Sequence, residues 1–520
     1  MITDLTLDGF EPNIRTDILI IGAGVAGLLL AHRLREHGKQ VVVLESGARE
    51  QSEDTHPLNE VVQIGDDYRG ALHGRFRCLG GTSSRWGGAL LPFLEQDFAA
   101  RDYYDISAWP VSYQEVMQYL PELEQLFAVD AEPYDQQFIL NKGLEDLIPY
   151  ADPEFVARFA KWPTFGRRNL SALFRHRIEG DAGLNICINA TATDFQLDAS
   201  SGRLIGVRAC HIGGNTLTVQ ADQTVICAGA IESTRLLLLL DAQYNQRVFA
   251  GCNALGRYFH DHVSTVAAKI VTKDIHRLNR MAGFRFVGST MRSLRFELSP
   301  RVQREEKVGS AFGHITFEPT FETGFDAIRT LMRAIQKRTG FPANLPWRIV
   351  RDAPYIINMM YWRAVRKQLY WPAPADYFLN IVVEQKPVAT SSIALSHKLD
   401  GFGKQLAEIN WCVGESEHST YKVFLRRFNE FWARNGMSSI GVIESINGLS
   451  SGGEDIFHPG GSTRMGTNSR DAVLSNDLQC YAVPNLWVAS TSAFPSGASA
   501  NPTLMLMLFS IRLAQRLSLT

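Results

Sequence analysis

Long apolar runs are missing from this chain. The leucine run at 236–240 ends at Asp241 and is too short to cross a bilayer, so no membrane span is expected. No export signal is expected either, because Met1 to Arg15 is polar and acidic where a signal peptide has a basic start and an apolar core. The 7 cysteines are scattered without a CxxC pair, which reads as reduced thiols and a cytoplasmic location. Excess charge is absent: 52 Lys and Arg against 54 Asp and Glu leave a net charge of -2, and nothing points to nucleic acid as a partner. There is no internal repeat and no low-complexity tract. What remains is 520 residues with 45% apolar content and 42 glycines, a composition that fits a large α/β enzyme with many tight turns.

The first chemical signal is near the start. Asp17 to Ile21 is a continuous apolar run, as in a strand buried on both faces, and Gly22-Ala23-Gly24-Val25-Ala26-Gly27 follows it. A helical pattern then runs to Gly38, and the next strand, Gln40 to Leu44, ends at Glu45. The spacing predicts a dinucleotide cradle. Gly22 permits the tight turn, Gly24 lets backbone approach a pyrophosphate, Gly27 lets helix and strand pack closely, and Glu45 is placed to accept from ribose hydroxyls. NAD and FAD are not separated by this fingerprint.

Further on, Leu79-Gly80-Gly81-Thr82-Ser83-Ser84-Arg85-Trp86-Gly87-Gly88 pairs glycines with small hydroxyls, which suits a loop lying against a flat ring or a phosphate. Ser112 to Glu115 reads as a capping box opening a helix that Pro121 kinks. Residues 184–230 read as short strands followed by a helix through Leu240. Between 320 and 375 the composition turns basic and aromatic, and the expectation is a solvated helical cover over a substrate cavity, with a membrane-surface or partner patch as the alternative. Strand alternation returns at 376–413. An amphipathic helix spans Ser416 to Arg434 and is closed by Gly436.

Near the C-terminus, His458-Pro459-Gly460-Gly461 holds a histidine in restricted, extended backbone, a placement that fits either a side chain aimed into a cavity or a satisfied core histidine. Asn501-Pro502 reads as a helix N-cap followed by the first helical residue, with the helix running to Arg516. That helix is apolar enough to be buried, and its positive end favours negative charge nearby. His260-Asp261-His262 has the look of a metal pair, but no third ligand with suitable spacing is visible, so no metal is expected. Arg464 is expected in a structural ion pair.

Taken in order, GAGVAG with Glu45, LGGTSSRWGG at 79–88, VICAGAIESTRLLL at 225–238, LGRYFHDH at 255–262, EQKP at 384–387, HPGGSTRMG at 458–466 and NLWVASTSAFPSGASANPTL at 485–504 resemble the glucose–methanol–choline (GMC) family of FAD-dependent oxidoreductases. The variants GSTRMG and FPSGASANPTL look nearest the branch holding pyranose oxidases and bacterial sugar dehydrogenases. The resemblance implies an α/β chain, α+β overall, with a Rossmann-like FAD-binding domain drawn from 1–95, 175–265 and 441–520. An interleaved substrate domain from 96–174 and 266–440 would be built on an antiparallel sheet with covering helices. It implies FAD contacts from Gly22, Gly24, Gly27, Glu45, Gly80, Gly81, Thr82, Ser83, Trp86, Gly87, Gly88, Ala192, Ala228, Gly229, Ser490, Pro502 and Thr503. His458 would take the alcohol proton while hydride passes to the flavin, and Asn501 would orient the substrate oxygen. Members with covalent flavin carry histidine where this chain has Arg85, so non-covalent FAD is expected. Ser490 stands where many members have aspartate. The implied substrate is a sugar or glycoside, with oxygen or another electron acceptor. Certain hydroxynitrile lyases, where flavin is structural, are the alternative within the resemblance.

Overall fold

The computed structural model describes residues 1–320, 324–337, 341–371, 374–446 and 453–519. Two sheets organise it. In the first, strands Ile2–Asp4, Leu184–Ile188, Val41–Leu44, Asn13–Ile21 and Thr216–Ile226 lie side by side and parallel. Leu204–Cys210 and Thr191–Leu197 extend this sheet antiparallel, and Leu486–Val488 adds a short parallel strand beside residues 224–226. The Val41–Leu44 strand is buried throughout, as a parallel strand covered on both faces must be. Helix Val25–Glu36 packs on helix Thr503–Ser518, joining the two ends of the chain over this sheet.

The second sheet is antiparallel. Its main path runs Arg285–Val287, Thr290–Leu298, Ala311–Pro319, Ala375–Glu384, His262–Thr272 and Gly441–Ser445, and Phe155–Trp162 pairs along Thr290–Leu298. Helix Glu415–Arg434 closes one face with Phe424, Phe428 and Phe431 against Phe155 and Phe296. Gly313 faces the same helix, because a Cβ there would lie 2.9 Å from the Phe424 ring. Side chains alternate across a strand, so Arg295 and Phe312 point to the opposite face, where the guanidinium lies 4.0 Å from the Phe312 ring centre.

The segment boundaries read from sequence move in three places. Residues 98–127 pack into the core of the first sheet, because Trp109 wedges against Phe494 and Phe509. Strand His262–Thr272 runs unbroken across the 265/266 boundary. Gly441–Ser445 belongs to the second sheet, paired with that same strand. Pro121 does not kink a helix. It sits in the first turn of a new one, Leu120–Phe127, where its missing N–H has no cost. The basic aromatic segment forms helices Gly324–Lys337, Leu345–Arg351 and Ala353–Tyr361 and a last turn Trp362–Arg366, and its exposed side chains include apolar ones such as Trp347 and Ile357 beside the basic ones.

Candidate active site

The carboxyl ends of Asn13–Ile21, Val41–Leu44 and Thr216–Ile226 open onto a cleft of about 600 Å³, within the range of about 300–1,000 Å³ usual for small-molecule and cofactor sites. Gly22 has φ of 108°, and a Cβ there would meet the Cys227 carbonyl oxygen at 2.6 Å. A Cβ on Gly27 would lie 1.9 Å from the Gly22 carbonyl oxygen, so the helix can approach the turn only as glycine. Glu45 lies buried at the wall, where its two carboxylate oxygens accept from the N–H groups of Ala23 and Gly47, each at 2.9 Å. Burial raises its pKa against those two bonds.

Three helix N-termini meet at this cleft. Gly24 to Ala26, Ala228 to Ala230, and Pro502 with Thr503 all line it, at the starts of Val25–Glu36, Gly229–Gln243 and Thr503–Ser518. Two of these helices have no acid in the first turn. The third carries Glu232, which is held by Arg77 and Arg235. Despite its desolvation, Glu232 is driven down to about 2 by Arg235, Arg77 and Arg75. Uncapped N–H groups above a glycine turn suit a diphosphate, and the rest of the cleft leaves room for flat rings. The chemistry of the walls therefore fits a dinucleotide cofactor.

Gly22, Gly24, Glu45, Gly81, Thr82, Ser83, Trp86, Gly87, Gly88, Ala192, Ala228, Gly229, Ser490, Pro502 and Thr503 line this one cleft together with His458 and Asn501. Gly27 and Gly80 stand behind it. Gly80 has φ of 95° and packs on Asn169, which shapes the loop from below. No described residue of 266–440 lines the cleft; the second sheet reaches it through Trp162, whose Nε1 donates to the Ser293 hydroxyl at 2.9 Å.

His458 and Asn501 come together from turns 43 residues apart, with Asn501 Nδ2 3.0 Å from His458 Nε2. Asn501 does not cap the helix. That helix starts at Thr503 with Pro502 before it and no side-chain cap, and Asn501 Oδ1, the atom a cap would use, accepts from Arg295.

The hydrogen-bond network assigns every proton in this group. His262 Nε2 lies 2.9 Å from the Ala498 carbonyl and 3.2 Å from that of Gly497, and carbonyls only accept, so Nε2 carries the proton. Burial lowers the pKa of His262 and keeps the ring neutral, so its Nδ1 must accept. Across 3.0 Å stands His458 Nδ1, which therefore donates. His458 is neutral as well, its pKa held well below the usual value by burial, then by His262 and Arg295. Its Nε2 is consequently a lone pair facing Asn501 Nδ2, and Asn501 Oδ1 accepts from Arg295 Nη2 at 3.3 Å. From Arg295 to the Ala498 carbonyl the bonds run in one direction, and they leave the basic nitrogen of His458 on the cleft side.

The backbone beneath is clamped. Asp261 accepts from His458 N–H at 2.9 Å, from His262 N–H at 2.6 Å and from the Tyr68 hydroxyl at 2.6 Å, and burial still pushes its pKa up to about 7. Glu384 accepts from Ala498 N–H at 3.0 Å while Arg101 holds it in a buried ion pair. Gln385 Oε1 accepts from Asp261 N–H at 2.9 Å. Phe457 and Ala498, with φ of 66° and 51°, are non-glycine residues in left-handed backbone on either side of the pair. Such strain costs about 1–3 kcal/mol per residue and persists only where the surroundings over-determine it.

Sequence reasoning singled out His458 and Asn501, which the fold brings together, and gave no place beside them to Asp261, His262, Arg295 and Glu384. The signal for three of them was present in LGRYFHDH and EQKP. Arg295 left none, being one arginine of an ordinary alternating strand. His260, weighed with His262 as a metal ligand, bonds the Tyr258 carbonyl at 2.9 Å and packs under Gly460 and Gly461. Arg464 forms no ion pair among the described residues; its guanidinium lies 4.5 Å from the Tyr258 ring centre.

Comparison with known proteins agrees with this geometry. The family descriptions "FAD dependent oxidoreductase" and "GMC oxidoreductase" match residues 17–251 and 387–510. The chain is 21% identical over 568 residues to 2-methyl-1,2-propanediol dehydrogenase of Mycolicibacterium austroafricanum, covering 97% of this chain and 95% of that one. It is 21% identical to the fructose dehydrogenase large subunit of Gluconobacter japonicus, with 96% and 97% covered. Among solved structures, pyridoxine 4-oxidase from Mesorbium loti superposes with a TM-score of 0.59 at 16% identity, covering 96% of this chain and 99% of that one. A formate oxidase variant of Aspergillus oryzae RIB40 superposes with a TM-score of 0.60 at 14% identity, covering 97% and 98%. Among the described residues no helix is long and apolar enough to cross a membrane. With the glycine cradle, the converging helix ends and the two matched segments in one chain, this protein belongs to the GMC family of FAD-dependent oxidoreductases.

Proposed function

We propose that the protein oxidises a hydroxyl group of a small sugar or glycoside, with His458 as the base and Asn501 as the group that orients the substrate oxygen. FAD held along Gly22, Gly24, Glu45, the 81–88 loop and the start of the last helix supplies the hydride acceptor. The substrate hydroxyl replaces the Asn501 amide at the His458 Nε2 lone pair, which takes its proton, and Asn501 Nδ2 donates to the same oxygen instead. A positioned base of this kind is worth about 10²–10⁴-fold in rate.

The observation that carries the reading is the 3.0 Å pairing of His458 Nε2 with Asn501 Nδ2 on the wall of the cleft that the glycine cradle also lines. The substrate class is supported by two relatives along nearly their whole length, whose names specify a diol and a sugar. Non-covalent attachment is supported by Arg85, which lines the cleft at the expected attachment position and offers no nucleophile. Seven free thiols fit a reducing, cytoplasmic compartment.

The test is the visible spectrum of the purified protein under anaerobic addition of sugars, glycosides and simple alcohols. Bleaching of the flavin band is the expected result, and readmitted air then separates oxygen from another acceptor. A flavin band that no hydroxyl compound bleaches overturns the reading. His458→Ala should keep the yellow cofactor and lose about 10²–10⁴-fold in reduction rate.

A further inference from the structure

The described residues expose 23 large apolar side chains, and seven of them fall between 341 and 365: Phe341, Trp347, Val350, Ile357, Met360, Tyr361 and Val365. Elsewhere Val271 and Val442 pair across two strands and the rest are scattered, which is ordinary for a protein surface. Here all but Phe341 follow one another along consecutive helices. Ile357, Met360 and Tyr361 follow the i, i+3, i+4 spacing of one helix face, and Val365 continues it one turn on. The inward positions Leu345, Ile356 and Trp362 are buried, so this helical layer is apolar on both sides. Trp347 is 68% exposed and Ile357 66%.

The charge around this face has one sign. Residues 341–371 hold five basic side chains, Arg348, Arg351, Arg363, Arg366 and Lys367, against the single acid Asp352, in a chain whose net charge is -2. Asp352 is already paired with Arg351. Arg363, Arg366 and Lys367 are all exposed at the C-terminal end of the layer.

We infer that this face rests on an anionic lipid surface. The helices lie in the plane of the headgroups, Trp347 and Tyr361 occupy the polar–apolar boundary, and Arg363, Arg366 and Lys367 meet lipid phosphates. An apolar stripe flanked by excess basic charge complements such a surface on both counts. A second copy of the chain complements it on one only, because a two-fold contact through this face brings like charges together. The attachment is peripheral, as no described helix can span a bilayer.

Flotation of the FAD-loaded protein with phosphatidylcholine vesicles, with and without phosphatidylglycerol, tests the inference. Binding to the phosphatidylglycerol vesicles that weakens as salt is raised is the expected result. Each basic contact is worth about fivefold in partitioning, so the triple substitution R363Q/R366Q/K367Q should weaken binding on the order of 100-fold. I357E and W347E should abolish it. The flavin band and thermal melt of each variant report that it has folded. Equal behaviour toward both kinds of vesicle, or full binding by I357E, overturns the inference. So does a concentration-dependent dimer that I357E dissolves in the absence of vesicle binding, which assigns the face to a second copy.

Discussion

Replacing His262 tests the hydrogen-bond relay without touching the cleft. Its ring accepts from His458 Nδ1–H and donates to the Ala498 carbonyl, so it fixes which nitrogen of His458 is basic. In His262→Leu the Nδ1–H of His458 is left buried with no acceptor. An orphaned buried donor costs about 1–3 kcal/mol, and His458 escapes that cost by moving its proton to Nε2, where it can no longer act as a base. At about 1.4 kcal/mol per decade, the competent tautomer falls by on the order of 5- to 100-fold, and the rate of flavin reduction falls with it. His262→Gln should recover most of the loss, because one amide offers an acceptor toward His458 and a donor toward Ala498. The assay is anaerobic stopped-flow reduction at saturating substrate, beside flavin content and a pH profile. Removing His262 also removes one of the influences that lower the His458 pKa, so the acid limb should move to higher pH. Wild-type reduction by His262→Leu with flavin intact, or equal slowing by leucine and glutamine, refutes the relay.

Three further outcomes follow from the geometry. His458 is a base only when neutral and its pKa lies below the ordinary 6.5, so activity should persist below pH 6.5 in the wild type; Arg295→Met removes a nearby cation, raises that pKa and shifts the acid limb upward in a pH–rate profile. Gly27→Ala puts a methyl 1.9 Å from the Gly22 carbonyl oxygen and should give protein depleted in FAD, read from the ratio of flavin to protein absorbance, with a loss of about 1–3 kcal/mol in stability. Glu232 has a pKa of about 2 when folded against 4.5 as its ordinary value, so its contribution is complete above pH 4.5 and is lost as pH falls toward 2; Glu232→Gln should flatten the acid limb of stability, worth about 3 kcal/mol, in melts across that range.

The parts of the site legible in sequence are those where one residue type alone meets a backbone demand. Gly22 and Gly27 are such residues, since any Cβ would collide with a carbonyl, and the fingerprint around them is local. The helices were legible for the same reason. Glu415–Arg434 and Thr503–Ser518 announce themselves by periodicity, the latter within two residues of its expected ends. What was hidden is contact at long separation. Arg295 meets Asn501 across 206 residues, and His262 meets His458 across 196, with neighbours on the chain that give no hint of either partner. Asn501 misled for a physical reason: asparagine before proline favours a helix cap, and here Oδ1, the atom a cap would use, accepts from Arg295 while Nδ2 faces the His458 lone pair. The 341–365 layer misled in the opposite sense. Its basic residues suggested a solvated surface, whereas the fold turns its apolar residues outward.

The relay also gives a way for a histidine of depressed pKa to serve as the base proposed above. A low pKa keeps Nε2 unprotonated at working pH but makes a proton, once taken, costly to hold. His458 does not hold it alone. When Nε2 gains a proton, Nδ1–H can pass its own to His262 Nδ1 across 3.0 Å, and His262 remains bonded to the Ala498 carbonyl in either state. Its ring then bears the charge, and Glu384, whose charge raises the His262 pKa, is the nearby buried carboxylate that favours it. Burial and then Arg295 oppose a charge on either ring, so Glu384 is the group that favours the inner one. The carboxylate would thus favour a proton on the inner ring of the pair, away from the cleft. The two clamping groups with no contact to substrate, Asp261 and Glu384, keep the imidazoles at that spacing. The left-handed backbone at Phe457 and Ala498 fits the same account, because strained residues on both sides of a pair are retained where the distance between its members has to be fixed.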